Sequence, residues 1–136
     1  LQGTSSSFHV VSNRLHQVLK QSTLLITASG TVTLEAALAG TPMIIIYKVS
    51  GFSYWVGKHL IRVKHIGLPN LIAGRTIVPE LIQHEASSIN IARQAVVLLQ
   101  DNALDQMRNQ LIHTAQALGS AGASERAAKV AISMLP

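Results

Sequence analysis

Apolar positions along this 136-residue chain change period several times, and each change marks an element. Leu24-Leu25-Ile26 is an unbroken apolar run, the pattern of a strand covered on both faces, and the small residues Ser29-Gly30-Thr31 follow as a sharp turn. Leu34, Ala37 and Leu38 resume at helical spacing, Gly40-Thr41-Pro42 interrupts them, and Met43-Ile44-Ile45-Ile46-Tyr47 is a second continuous apolar run. This succession predicts a βαβ unit.

Upstream, Phe8-His9-Val10-Val11 reads as a short strand. Ser12-Asn13 then reads as the cap of a helix carrying Leu15, Val18 and Leu19 on one stripe and ending at Gln21-Ser22. Downstream, a polar turn at 48–51 leads to a short helix over Phe52 to Lys64, His65 to Leu68 reads as another strand, and Pro69 to Arg75 as a loop. Ile77 to Gln83 reads as a helix with Pro79 in its first turn, where the missing N–H does no harm. Three helices then close the chain: one capped by Ser88 with Ile91, Ala95 and Leu98 on a face, one carrying Leu104, Met107, Leu111, Ala115 and Leu118 up to Gly119, and one opened by Ser124 with Ala127, Val130, Ala131 and Met134. The expected fold class is α/β: a Rossmann-like partial parallel sheet over residues 1–86, with a helical tail over 87–136 that packs on it or on a partner.

Composition changes this picture in one respect. At 48% hydrophobic and 12% charged, the chain can bury one core, yet it has too few charges for an ordinary free-standing surface. Much of it is therefore expected to be buried or to pack against other protein. Charge is also uneven. Arg14, Lys20, Lys48, Lys58, Arg62, Lys64 and Arg75 face Glu35 alone in residues 1–79, a balance of +6, whereas the remainder holds four basic and five acidic residues, or −1. A basic front suits an anionic partner, but without a continuous Lys/Arg run or a basic helix nucleic acid is not expected. The absence of cysteine excludes disulfides and thiolate metal sites and fits a reducing compartment. Neither a signal-peptide pattern nor an apolar stretch approaching about 18 residues is present, so a soluble or peripheral chain is expected.

The candidate chemistry centres on the first turn. Small residues at Ser29, Gly30 and Thr31 let an anion approach the unpaired N–H groups that begin a helix; the alternative is a plain tight turn, since neither the Walker lysine nor G-x-G-x-x-G is present. Glu35, four residues past Thr31, lies on the same helix face, either as an acceptor for ribose hydroxyls or as an acid favoured by the helix dipole. Six histidines share no H-x-x-x-H spacing and no acidic cluster, so no metal is expected, and no complete catalytic constellation is visible. Phe52, Tyr54, Trp55, Lys58 and Arg62 combine aromatic and basic character, which suits either core packing or contact with a membrane surface.

The pieces Ser29-Gly30-Thr31-Val32-Thr33-Leu34-Glu35, Gly40-Thr41-Pro42-Met43, Tyr54-Trp55, Leu68-Pro69-Asn70-Leu71-Ile72-Ala73-Gly74-Arg75 and Glu80-Leu81-Ile82-Gln83, in this order and spacing, resemble lipid-A-disaccharide synthase, a glycosyltransferase of the GT-B fold. The first piece is shared loosely with other GT-B enzymes; the fourth, downstream of Tyr-Trp, is the specific one. The resemblance covers about residues 8 to 100. It implies a longer enzyme of which this chain is the later part, beginning within the C-terminal nucleotide-binding domain. That enzyme transfers 2,3-diacylglucosamine from UDP-2,3-diacylglucosamine to 2,3-diacylglucosamine 1-phosphate at the cytoplasmic membrane face, with no cofactor. By the same resemblance Ser29, Gly30 and Thr31 lie at the UDP diphosphate, Glu35 at the ribose, and Asn70 and Arg75 near the nucleotide sugar. The acceptor pocket and general base belong to the N-terminal domain, so no residue here is expected to be catalytic. A truncated sheet also predicts a homodimer by tail swapping. Two rivals remain: another GT-B enzyme, such as the lipid-linked N-acetylglucosaminyltransferase of peptidoglycan synthesis, and a non-catalytic nucleotide- or lipid-binding module.

Overall fold

The structure, a computed structural model, describes residues 7–49, 64–119 and 122–134. Its centre is a parallel sheet of order β1-β2-β3, with β1 at Leu25–Ala28, β2 at Met43–Tyr47 and β3 at Glu80–Ile82. The register sets Leu25 beside Met43 and Ile45 beside Glu80. Six α-helices surround it among the described residues: α1 (Leu15–Gln21), α2 (Thr31–Leu38), α3 (Leu68–Ala73), α4 (Ser88–Leu98), α5 (Ala103–Gln116) and α6 (Ala123–Ser133). This is a Rossmann-like partial domain.

The middle strand, β2, is built of residues without polar alternation because both its faces are covered, and Met43, Ile44 and Ile45 are fully buried. Burial alternates along β1 instead, leaving Ile26 48% exposed. The expectation that β1 is covered on both faces is thus corrected: it is the edge of the described sheet, and one of its faces is open. Small residues let α2 sit close to its neighbours, with Thr33, Ala36 and Ala37 buried, and it packs against α1, α3 and α5. Met107, Leu111 and Thr114 form the buried stripe of α5 at spacings of four and three, and the Met107 sulfur lies 3.3 Å from the Met43 backbone nitrogen.

The turn that closes α2 is tied both within itself and to two neighbouring helices. Gly40 N–H donates to the Ala37 carbonyl at 3.0 Å and Thr41 N–H to the Ala36 carbonyl at 2.8 Å, a Schellman arrangement with Gly40 at φ +66°. Arg108 Nη1 on α5 donates to the Gly40 carbonyl at 3.0 Å, and the Thr41 hydroxyl donates to the Leu19 carbonyl of α1 at 2.8 Å. The end of α2, the start of β2 and two neighbouring helices are joined there.

Four sequence expectations are overturned. Phe8 to Val11 is not a strand: Phe8 is 91% exposed, and among the described residues no strand pairs with it, so its backbone has no ladder to join. His65 to Leu68 is likewise irregular until α3 starts at Leu68. The loop expected from Pro69 to Arg75 is mostly α3, with Pro69 in the first turn and Gly74 in left-handed conformation at the end, the usual placement of those two residues. The helix expected from Ile77 to Gln83 is instead β3. The Pro79 carbonyl accepts from Ile45 N–H at 2.9 Å, and proline, standing just before the strand, costs the ladder nothing. Smaller differences concern caps. Ser87, not Ser88, caps α4, accepting from Asn90 N–H at 3.3 Å; α1 begins at Leu15, with Arg14 at the cap position and no side-chain cap bond; and α6 opens after Gly122. The helix read from Phe52 to Lys64, with Phe52, Tyr54, Trp55, Lys58 and Arg62, lies outside the described residues except at Lys64.

Candidate functional site

The turn between β1 and α2 can be accounted for donor by donor. Ser29 N–H continues the ladder by donating to the Ile46 carbonyl at 3.1 Å, and the Ser29 hydroxyl donates to the Ile66 carbonyl at 3.1 Å. Gly30 is extended and opens α2, where its carbonyl accepts from Thr33 N–H at 3.1 Å and from the Thr33 hydroxyl at 2.6 Å. Among the described residues no acceptor meets the N–H groups of Gly30, Thr31 or Val32, and no side chain caps the helix. Gly30 and Thr31 are exposed. Three free donors at an open helix start, reinforced by the helix dipole, suit a phosphate oxygen. Glu35 is half-buried one turn further on.

Directly beside the turn is a buried polar cluster that sequence reasoning missed. The Glu80 side chain, 8% exposed, accepts through Oε2 from Ile66 N–H at 2.8 Å, and through Oε1 from Gly67 N–H at 3.1 Å and Asn70 Nδ2 at 2.7 Å. His65 Nδ1 stands 4.0 Å from Oε1. Asn70 is completely buried; besides Glu80 its Nδ2 donates to the Val78 carbonyl at 2.8 Å, and its Oδ1 accepts from Ile77 N–H at 2.7 Å and Val78 N–H at 2.9 Å. The amide thus spends both donors and its acceptor within the chain. Gly67 permits the approach, since a Cβ there would overlap Ile45 Cδ1 and come within 3.1 Å of Glu80 Oε1.

A second clamp closes the far end of β2. Gln83, held at φ +53°, donates through Nε2 to the Val49 carbonyl at 3.0 Å and accepts from Val49 N–H at 2.8 Å, extending the pairing of β2 and β3 by a side chain. The structure therefore brings Ser29, Gly30, Thr31 and Asn70 into one hydrogen-bonded neighbourhood through Ile66 and Glu80. Arg75 is exposed after Gly74, and among the described residues no hydrogen bond or ion pair joins it to the turn. No group of three or more His, Asp or Glu able to hold a metal occurs among the described residues.

Both clamps and the turn lie within a stretch that known proteins share. The sequence profile of the family described as Lipid-A-disaccharide synthetase matches residues 1–133. This chain belongs to that family. It is 48% identical to the lipid-A-disaccharide synthase of Geobacter sulfurreducens over 127 residues, which is 93% of this chain and 33% of the relative. It is 42% identical to that of Trichlorobacter lovleyi over 136 residues, 99% of this chain and 36% of the relative, and 42% identical to that of Nitrosococcus oceani over 135 residues, 99% and 35%. The chain spans about a third of the length of these curated relatives.

Within the lipid-A-disaccharide synthetase family match, the residues easiest to read were the small ones of the turn, whose chemistry is local. Gln83 carries no signal of its own, whereas Glu80 does. A single acid in the otherwise apolar Ile77-Val78-Pro79-Glu80-Leu81-Ile82 is the clue that points to a buried, paired carboxylate.

Proposed function

We propose that this chain is the nucleotide-sugar side of a lipid-A-disaccharide synthase, a glycosyltransferase that moves 2,3-diacylglucosamine from UDP-2,3-diacylglucosamine to 2,3-diacylglucosamine 1-phosphate. The observation that carries the reading is the trio of N–H groups at Gly30, Thr31 and Val32, which meet no acceptor among the described residues at the open start of α2, in a chain whose family is named for that synthesis. As the bond between the sugar's anomeric carbon and the diphosphate breaks, the leaving UDP gains negative charge. Fixed backbone donors facing that charge stabilise the transition state more than the ground state. The acceptor hydroxyl forms the new bond and gives up its proton to a base that we assign, with the acceptor pocket, to a separate N-terminal domain.

In this reading Gly30 and Thr31 contact the diphosphate and Glu35 the ribose, with Arg75 near the sugar. Ser29 and Asn70 belong to the same site. Residues 1–86 form the nucleotide-sugar unit and 87–136 a helical tail. Two further partners follow. The aromatic and basic residues Phe52, Tyr54, Trp55, Lys58 and Arg62 contact the cytoplasmic membrane face from which acylated substrates are drawn, making the enzyme peripheral there. The tail pairs with a second copy, a role supported by α6, whose Val130 and Ile132 are exposed. The test is titration of UDP into the full-length enzyme and its Glu35→Ala variant, with product analysis on the two sugar substrates. Glu35→Ala should weaken UDP about tenfold through the lost ribose hydrogen bonds, and equal affinity would remove Glu35 from the site.

A further inference from the structure

We infer that Glu80 is a positioning residue for the β1–α2 turn, acting on it through the Ile66–Gly67 peptide and the Ser29 hydroxyl. The inference rests on the reading of that turn as the diphosphate site.

The geometry follows from one planar group. Ile66 C=O and Gly67 N–H belong to the same peptide unit, and in a trans peptide they point in opposite directions. Glu80 Oε1 holds the N–H end at 3.1 Å, and at the other end the carbonyl accepts the Ser29 hydroxyl at 3.1 Å. A second bond, from Ile66 N–H to Oε2 at 2.8 Å, fixes the preceding peptide and leaves the unit little freedom to rotate. The orientation of one carboxyl therefore decides where the Ile66 carbonyl aims, and that carbonyl fixes the Ser29 hydroxyl, the turn's second anchor beside the bond from Ser29 N–H to Ile46.

A carboxylate is costly to bury, and an apolar side chain here would instead strand the N–H groups that it accepts. Three N–H groups converge on Glu80, from Ile66, Gly67 and Asn70, and an ionised carboxyl accepts them all without presenting a donor of its own. A glutamine would set its NH2 against at least one of the three. Asn70 completes the support by tying Glu80 to Ile77 and Val78, so the platform under the turn cannot slide along β3.

One consequence concerns Ser29. Its N–H is spent on Ile46 and its single hydroxyl proton on Ile66, so Ser29 has no donor left for a phosphate. It tethers the turn, and the diphosphate is met by the N–H groups that follow it.

The experiment uses full-length enzyme, with UDP as the probe in calorimetric titration and the nucleotide sugar in steady-state kinetics. Glu80→Gln should weaken UDP about tenfold and raise the KM for the nucleotide sugar by a similar factor, with the KM for the acceptor unchanged. Loss of folded protein would lower kcat and leave both KM values alone. Ser29→Ala removes only the link and should weaken UDP in the same direction. The double variant should be no weaker than Glu80→Gln within about twofold, because the two residues act in series. If Glu80→Gln does not fold, Ser29→Ala decides: unchanged UDP affinity overturns the inference, as does an additive double variant. Gly30→Ala separates the two levels. Should wild type bind UDP and Gly30→Ala weaken it, while Glu80→Gln and Ser29→Ala bind normally, the inference fails and the diphosphate reading stands. Should wild type not bind UDP, both fail.

Discussion

Helices α2 and α3 pack against each other, and their starts are joined by the bond from Ser29 to Ile66, yet they are finished in opposite ways. At the start of α3 the N–H groups of Ile66 and Gly67 meet the Glu80 carboxyl, an anion supplied by the chain itself. At the start of α2 the N–H groups of Gly30, Thr31 and Val32 meet nothing among the described residues. The same backbone chemistry thus serves rigidity in one place and availability in the other. What separates them is access: Gly67 is buried against Ile45, whereas Gly30 and Thr31 face solvent, where unpaired donors are hydrated at little cost.

Breaking the closed start should have the largest effect on stability. Asn70→Ala removes the partner of two buried N–H groups and one carbonyl, and takes one of the donors from Glu80. Stranding such groups should cost about 3 kcal/mol, measured as a fall in the urea midpoint of the full-length enzyme. Stability equal to wild type would mean that the segment from Ile66 to Glu80 is held by something other than this cluster.

The other end of α2 supplies an intermediate case, since it is as closed as its start is open. Gly40→Ala places a side chain at φ +66°, with its Cβ 3.1 Å from Ile112 Cγ1 and 3.3 Å from Cδ1. Left-handed strain together with the crowded isoleucine should cost about 1–2 kcal/mol, with nucleotide affinity unchanged per folded molecule. Reduced UDP affinity at full occupancy of the folded state would show that the two ends of α2 are coupled.

How much of this was legible from sequence depends on how local each feature is. The first strand, α2 and β2 could be read because continuous apolar runs and a small-residue turn act within a few positions. The strand β3 could not, because three residues beside a proline have no period. Their strand character comes from pairing with Ile45, Ile46 and Tyr47 about 35 residues earlier. Phe8 to Val11 shows the converse, a β-rich tetrapeptide with no ladder to join among the described residues. In α3 the signals were present, Pro69 at the start and Gly74 at the end, but six residues are too few for an apolar stripe. The small-residue turn that opens α2 was itself legible. Its support was not, because Glu80 acquires its role only when peptides 13 and 14 residues upstream fold over it. Resemblance to the family drew attention to Asn70; only the geometry shows that its amide is spent inside the chain.

The smallest effect on stability is expected at Gly30, and it bears most directly on the contrast between the two helix starts. Unlike Gly67, Gly30 has nothing within 4 Å of where a Cβ would stand, and its extended backbone is one that any residue adopts. Gly30→Ala should therefore leave the unfolding free energy from urea titration within about 0.5 kcal/mol of wild type. The added methyl stands at the open helix start, where a diphosphate must come close to the main chain, so UDP should bind several-fold more weakly despite the intact fold. Stability and affinity would then move independently at α2 but together at α3, as expected if one start is reserved for a ligand and the other is filled by Glu80. Unchanged UDP affinity in a folded Gly30→Ala enzyme would instead place the diphosphate elsewhere and leave the free donors of α2 as a solvated helix end.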